Sequence, residues 1–148
     1  MEKEKVMNRK FTATATTTID APVSKVWQAL VTPEMIKQYL FDTDVISDWN
    51  VGSPIIYRGE WEGKPFEDKG KILEIAPEKT LKSTHWSPLS GVPDTPENYH
   101  TVTYTLTEQG DSTEVTITQD NNASEEEKAH SEKNWQTVLD GMKKLLEG

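Results

Sequence analysis

Residues 124–146, SEEEKAHSEKNWQTVLDGMKKLL, decide the fold. Ser124 followed by Glu127 forms a capping box, in which each side chain takes up a free backbone N–H at a helix start. Beyond it Trp135, Val138, Leu139, Met142, Leu145 and Leu146 recur at helical spacing and make one apolar stripe. A long helix with a single apolar face must lay that face on another element. Gly141 interrupts the stripe at a cost of about 1 kcal/mol relative to Ala, and a glycine inside a helix marks a close approach to a neighbour. The acidic run Glu125–Glu127 suits the positive end of the helix dipole and needs no further role.

The surface that receives this stripe is read from the other end of the chain. Phe11, Ala13, Ala15, Thr17 and Ile19 alternate with Thr12, Thr14, Thr16 and Thr18, the period of a strand with one buried and one wet face. Asp20-Ala-Pro22 stops the strand and opens a helix, with Asp20 as its cap and Pro22 tolerated in the first turn. Val23, Val26, Trp27, Leu30 and Val31 form the stripe of that helix. Thr32-Pro33-Glu34 repeats the signal, so a second short helix carries Met35, Ile36, Tyr39 and Leu40. Strand-type runs follow at 42–47, 54–61, 66–76, 80–86, 99–107 and 113–120, a meander of antiparallel strands. Glu62-Gly63-Lys64 and Glu108-Gln-Gly-Asp111 read as its hairpin turns. Residues 87–98, SPLSGVPDTPEN, are long for a hairpin connection and read as a simple excursion, with a lid as the alternative.

Composition bounds the function. The chain has 148 residues, the usual size of a single core, and residues 10–148 are expected to form one α+β domain behind a flexible tail at 1–9. A net charge of −9 repels nucleic-acid phosphate and anionic lipid, so neither nucleic acid nor a membrane is expected as a partner. No run approaches the roughly 18 apolar residues of a membrane span, and Met1–Lys5 lacks a signal-peptide core, so a cytoplasmic location is expected. The absence of cysteine removes disulfides, thiolate metal sites and cysteine nucleophiles. Hydrophobic residues make up only 34%, but five Trp and clear periodicity argue for a packed core. Phosphate-loop, dinucleotide, nucleophile-elbow and zinc-helix motifs are absent, so no cofactor, metal or catalytic residue is assigned. Asn122-Ala-Ser124 matches a glycosylation sequon, but Ser124 is accounted for as a helix cap.

Candidate site residues come from alternation. The face turned toward the last helix carries Ile55, Tyr57, Gly59 and Trp61 on one strand, and Leu81, Ser83 and His85 on another. It continues with His100, Val102, Tyr104 and Leu106, then Val115, Ile117 and Gln119. A purely structural core avoids polar groups or satisfies them, so Tyr57, His85, His100, Tyr104 and Gln119 are the polar candidates around an apolar pocket. Trp61 belongs to its wall, and Trp27, Tyr39, Trp135, Leu139 and Met142 close it from the helices. The ligand-binding set is thus Tyr57, Trp61, His85, His100, Tyr104, Gln119, Trp135, Leu139 and Met142. Each also has a structural reading: tyrosines with their hydroxyls at a rim, and histidines hydrogen-bonded in the core with no carboxylate seen to orient them. His130 reads as a packing residue of the last helix.

The element order and several phrases together resemble a known group. The phrases are Ile19-Asp-Ala-Pro22 before Val26-Trp27, Thr32-Pro33-Glu34, and Gly52 at a strand entry. Gly70-Lys-Ile72 before Ile75-Ala-Pro77, and His130 ahead of Trp135, complete them. Over about residues 10–147 the chain resembles the helix-grip fold of the START and Bet v 1 superfamily (SRPBCC), and within it the domains related to the C-terminal part of the activator of Hsp90 ATPase. Asn134, where the family commonly has Gly, and the 87–98 loop depart from the pattern. The resemblance implies a curved sheet of about seven strands around the C-terminal helix, with a cavity between them in many relatives. It does not imply one activity. An apolar or aromatic ligand, chemistry of the cyclase, aromatase or hydratase type, and a stress-response partnership with a chaperone-type protein all stay open.

Overall fold

The threonine-rich alternation produces β1 (Phe11–Ile19), and in the computed structural model, which describes residues 11–148, this strand is one edge of a seven-stranded antiparallel sheet. The stretch expected to be a tail, residues 1–9, lies outside the described residues. The chain continues through α1 (Val23–Val31), α2 (Pro33–Tyr39), β2 (Asp44–Ser47), β3 (Pro54–Trp61), β4 (Lys64–Ala76) and β5 (Thr80–His85). Two short 3-10 turns, Pro88–Ser90 and Pro96–Asn98, precede β6 (His100–Gln109), β7 (Ser112–Asn122) and α3 (Glu125–Glu147). Across the sheet the order is β1-β7-β6-β5-β4-β3-β2. Strands β2 to β7 are therefore a simple meander, and α1 with α2 carries the chain from one edge to the other. This is the α+β helix-grip architecture.

Local signals explain the element ends, with three corrections. Ser124 Oγ accepts the Glu127 N–H at 3.0 Å, and the Glu127 carboxylate accepts the N–H of Ala123, also at 3.0 Å, so the capping box closes one residue earlier than its usual form. Asp20 does not cap α1: Pro22 holds that position, and Asp20 instead accepts the Ser112 hydroxyl at 3.3 Å. Thr32 holds the cap position of α2 but makes no side-chain bond to the helix. The hairpins are tighter than the sequence suggested. Glu62-Gly63 alone turns β3 into β4, with φ of 53° and 81°, and Trp61 pairs directly with Lys64. Gly110-Asp111 likewise joins Gln109 to its partner Ser112.

The stripe of α3 seats on the concave face. Val138, Leu139 and Met142 are buried to 1%, 0% and 0% exposure, and Trp135, Leu145 and Leu146 pack against the same core. Each fully buried side chain of this kind contributes roughly 1.5–3 kcal/mol. His130, expected to pack, is exposed. The helix lies over β1 and β7 and against α2. Its polar side chains also satisfy the edge strand: Glu132 accepts the Thr14 N–H at 3.0 Å, Glu147 accepts the Asp20 N–H at 2.7 Å, and the Lys143 ammonium donates to the Thr18 carbonyl at 2.7 Å. Unpaired backbone at a sheet edge otherwise invites pairing with another chain.

Two glycines mark close approaches. A Cβ on Gly141 would stand 3.4 Å from the Tyr39 Cβ of α2, ordinary contact. On Gly70 of β4 it would stand 1.7 Å from the Thr84 carbonyl oxygen of β5, which no side chain can accept without moving the strand. Gly141→Ala is therefore expected to gain helix propensity and stabilise the protein by about 0.5–1 kcal/mol. Gly70→Ala is expected to destabilise by about 1–3 kcal/mol through overpacking. Urea melts of the two variants check both signs, and a neutral Gly70→Ala contradicts the close β4–β5 approach.

Candidate functional site

Register decides which side chains look toward α3. Tyr57 is the direct partner of Asp68 across the β3–β4 hairpin, His85 of His100 across β5–β6, and Val102 lies between Ser83 and Gln119. Directly opposed residues share a face. Because α3 sits toward β1 and β7, the concave side of the central strands is only partly covered, and a cavity of about 280 Å³ remains there. Tyr57, His85, Tyr104 and Gln119, expected from alternation, line it together with Trp135, expected from the helix stripe.

The site has two polar regions. At one end the His85 imidazole and the Asp68 carboxylate are 3.0 Å apart, Nε2 to Oδ2. A carboxylate only accepts, so Nε2 carries the hydrogen. The Tyr57 ring meets the His85 ring edge-on, with centroids 5.4 Å apart and planes at 73°. Burial pushes the Tyr57 phenol up to about 12; a hydrogen bond with Ser83 works against the rise, and the charge of Asp68 adds to it. Asp68 Oδ1 is buried and receives no hydrogen bond from any described residue. The close approach at Gly70 belongs to this end, since it brings β5, and with it His85, against β4.

At the other end Trp135 meets Tyr104 edge-on at 6.0 Å and 84°. The Trp135 indole donates to Gln119 Oε1 at 2.9 Å, and the Gln119 amide donates to Asn122 Oδ1 at 3.0 Å and to Ser131 Oγ at 3.1 Å. Asn122 is fully buried and donates to the carbonyls of Phe11 and Gln119. Gln119 is therefore a saturated member of the wall rather than a free polar group. Burial holds the Tyr104 phenol well above its ordinary range, with smaller contributions from Tyr39 and Tyr57.

Three residues of the expected ligand-binding set fall elsewhere. His100 shares the face of His85, but its Nδ1 pairs with the Asp120 carbonyl at 2.8 Å and its Nε2 lies 3.8 Å from Glu127, which draws it away from the cavity. Leu139 and Met142 are completely buried in the core, and the helix instead lines the cavity with Ser131, Asn134 and Val138. The Trp61 side chain lies outside those described. Trp27 and Tyr39 also belong to the core, Tyr39 donating to the Ala29 carbonyl at 2.8 Å.

Alternation missed Asp68, although a two-residue turn at Glu62-Gly63 fixes it opposite Tyr57. Phe66 was missed with it: its ring lies over Gly59, 3.0 Å from where a Cβ would be. The mouth is formed by segments that carry no periodic signal. Phe41, 56% exposed, comes from the α2–β2 connection, where Phe41 and Asp42 have φ of 53° and 61°; Leu89, 54% exposed, comes from the first 3-10 turn. The 87–98 loop is anchored behind that turn. The Trp86 indole donates to the Val92 carbonyl and its ring stacks on Tyr99, while Asp94 accepts the Tyr99 hydroxyl at 2.6 Å and pairs with Lys69. Among the described residues no cluster of three His, Cys, Asp or Glu could hold a metal, and no helix is long and apolar enough to cross a membrane.

Comparison with known proteins agrees with this architecture. The solution structure of ChR145 from Cytophaga hutchinsonii is 54% identical, with 95% of this chain and 96% of that one covered and a TM-score of 0.82. CalU16 from Micromonospora echinospora is 22% identical over 91% of this chain and 75% of its own, with a TM-score of 0.71. A protein described as the Aha1 dimer of Colwellia psychrerythraea is 23% identical over 91% and 95%, with a TM-score of 0.70. The last two likenesses show the fold alone. No curated protein matches the chain. The family model described as "Activator of Hsp90 ATPase homolog 1-like protein" matches residues 20–147, and the chain belongs to that family.

Proposed function

We propose that the cavity binds an apolar or aromatic small molecule between the central strands and α3. The observation that carries this reading is a space of about 280 Å³ walled by Phe66, Val102, Tyr104, Trp135 and Val138, with polar groups gathered at its ends. Small-molecule pockets run to roughly 300–1,000 Å³, so the occupant is small, on the order of one or two fused rings. A second reading, an enzyme of the cyclase, aromatase or hydratase type, is favoured by one observation. The Asp68 carboxylate orients the His85 imidazole at the cavity wall, as a general base requires. A chaperone-type protein partner is supported by the family's name alone.

A neutral aromatic probe, 2-methoxynaphthalene, tests the first reading. At 100 times its dissociation constant it is expected to stabilise the protein by about 2.7 kcal/mol and to shift the NMR signals of Trp135 and Tyr104. Asn134, exposed on α3 at the cavity mouth, gives the control. Asn134→Trp is expected to keep the fold and abolish binding. Equal binding by this variant, or shifts confined to residues away from the cavity, counts against the reading. For the second reading, His85→Gln is expected to lower turnover of a converted ligand by about 100-fold, whereas loss of affinity alone indicates an orienting role.

A further inference from the structure

We propose that the ligand of this cavity is an apolar amine, whose protonated head donates to Asp68 Oδ1 while its body lies against the aromatic wall. The inference rests on the small-molecule reading above and adds the chemistry of the head group.

Three observations lead to it. First, Asp68 projects from the inner face of β4 with its side chain only 14% exposed; Oδ2 is taken by His85, and Oδ1 is buried with no donor among the described residues. A buried acceptor without a donor is costlier than the bond it lacks is favourable, so the site demands a hydrogen. Second, apart from the exposed Asn134 amide at the mouth, the side-chain nitrogen-bound hydrogens around the cavity are already committed. Those of Gln119 go to Asn122 and Ser131, that of Trp135 goes to Gln119, and that of His85 goes to the other oxygen of Asp68.

Third, the lining carries two acidic groups, Asp68 and Glu60 at the mouth, and no Lys or Arg. A carboxylate ligand such as a fatty acid would meet like charge with no fixed cation to pair it, in surroundings that screen poorly. An ammonium meets Asp68 directly, and the neighbouring Tyr57 ring offers it further electrostatic attraction. That Asp68 helps to raise the Tyr57 phenol agrees with its charge being felt inside the cavity.

Titration calorimetry with three probes of one shape, 2-naphthylmethylamine, 2-methoxynaphthalene and 2-naphthoate, separates this inference from the reading beneath it. The amine is expected to bind at least about tenfold more tightly than the neutral ether, and the naphthoate more weakly than either. Asp68→Asn is expected to remove the preference for the amine while leaving the ether's affinity within about twofold. Glu67→Gln removes one negative charge from the neighbouring position on the opposite, exposed face of β4, and is expected to leave the preference intact. Binding of none of the probes overturns the small-molecule reading itself. Binding of the ether with an equal or greater affinity for the naphthoate than for the amine overturns the amine assignment alone. That wild-type comparison stands even where Asp68→Asn fails to fold. An amine preference that persists in Asp68→Asn, or disappears in Glu67→Gln, also overturns it.

Discussion

A curved antiparallel sheet has a concave side that water must leave, and one helix cannot fill all of it. Here α3 seats Val138, Leu139 and Met142 at the β1–β7 side. That placement is set by more than the apolar stripe, because Glu132, Lys143 and Glu147 of the same helix are fastened to the backbone at β1 and just beyond it. With the helix tied to that edge, the concave face of the central strands is left partly uncovered. The cavity is therefore a consequence of where α3 is anchored.

The two ends of the cavity follow different rules. Near Trp135 the indole, Gln119, Asn122 and Ser131 form a closed network, the condition under which a polar cluster rigidifies a wall. Near Tyr57 the network is open: His85 and Asp68 satisfy each other at one oxygen only. Stability alone favours the first arrangement. The second is where a functional demand shows itself, since natural sequences depart from full satisfaction mostly at sites of recognition or chemistry.

Much of this was legible in the sequence because it is periodic. The stripe from Trp135 to Leu146, the Thr alternation of β1 and the Ser124–Glu127 cap each encode a local structure that the fold keeps. Alternation also placed Tyr57, His85, Tyr104 and Gln119 on the inner face correctly. It could not say which inward residues meet core and which meet space, because that depends on the position of α3 along the sheet; Leu139 and Met142 were assigned to the pocket for this reason. His100 shows a further limit. Its face was right, but a carbonyl two strands' length away in sequence, that of Asp120, claimed its ring. Asp68 was hidden by a single uncertainty, the length of the Glu62-Gly63 turn, which sets the register of the whole hairpin.

The position of β1 has a consequence for how the molecule is assembled. Its partner is β7, so that Thr18 lies opposite Glu114, and on its other edge Thr14 and Thr18 are bonded by residues as late as Glu132 and Lys143. The β2–β7 meander consists of neighbours in sequence and can condense hairpin by hairpin during translation. β1, synthesised before the meander, must wait for β7 and α3, because closing a loop of that length comes late in folding. Its alternating threonines keep one face of the waiting strand polar throughout that interval, so the composition that marks β1 as a strand also protects it from premature association.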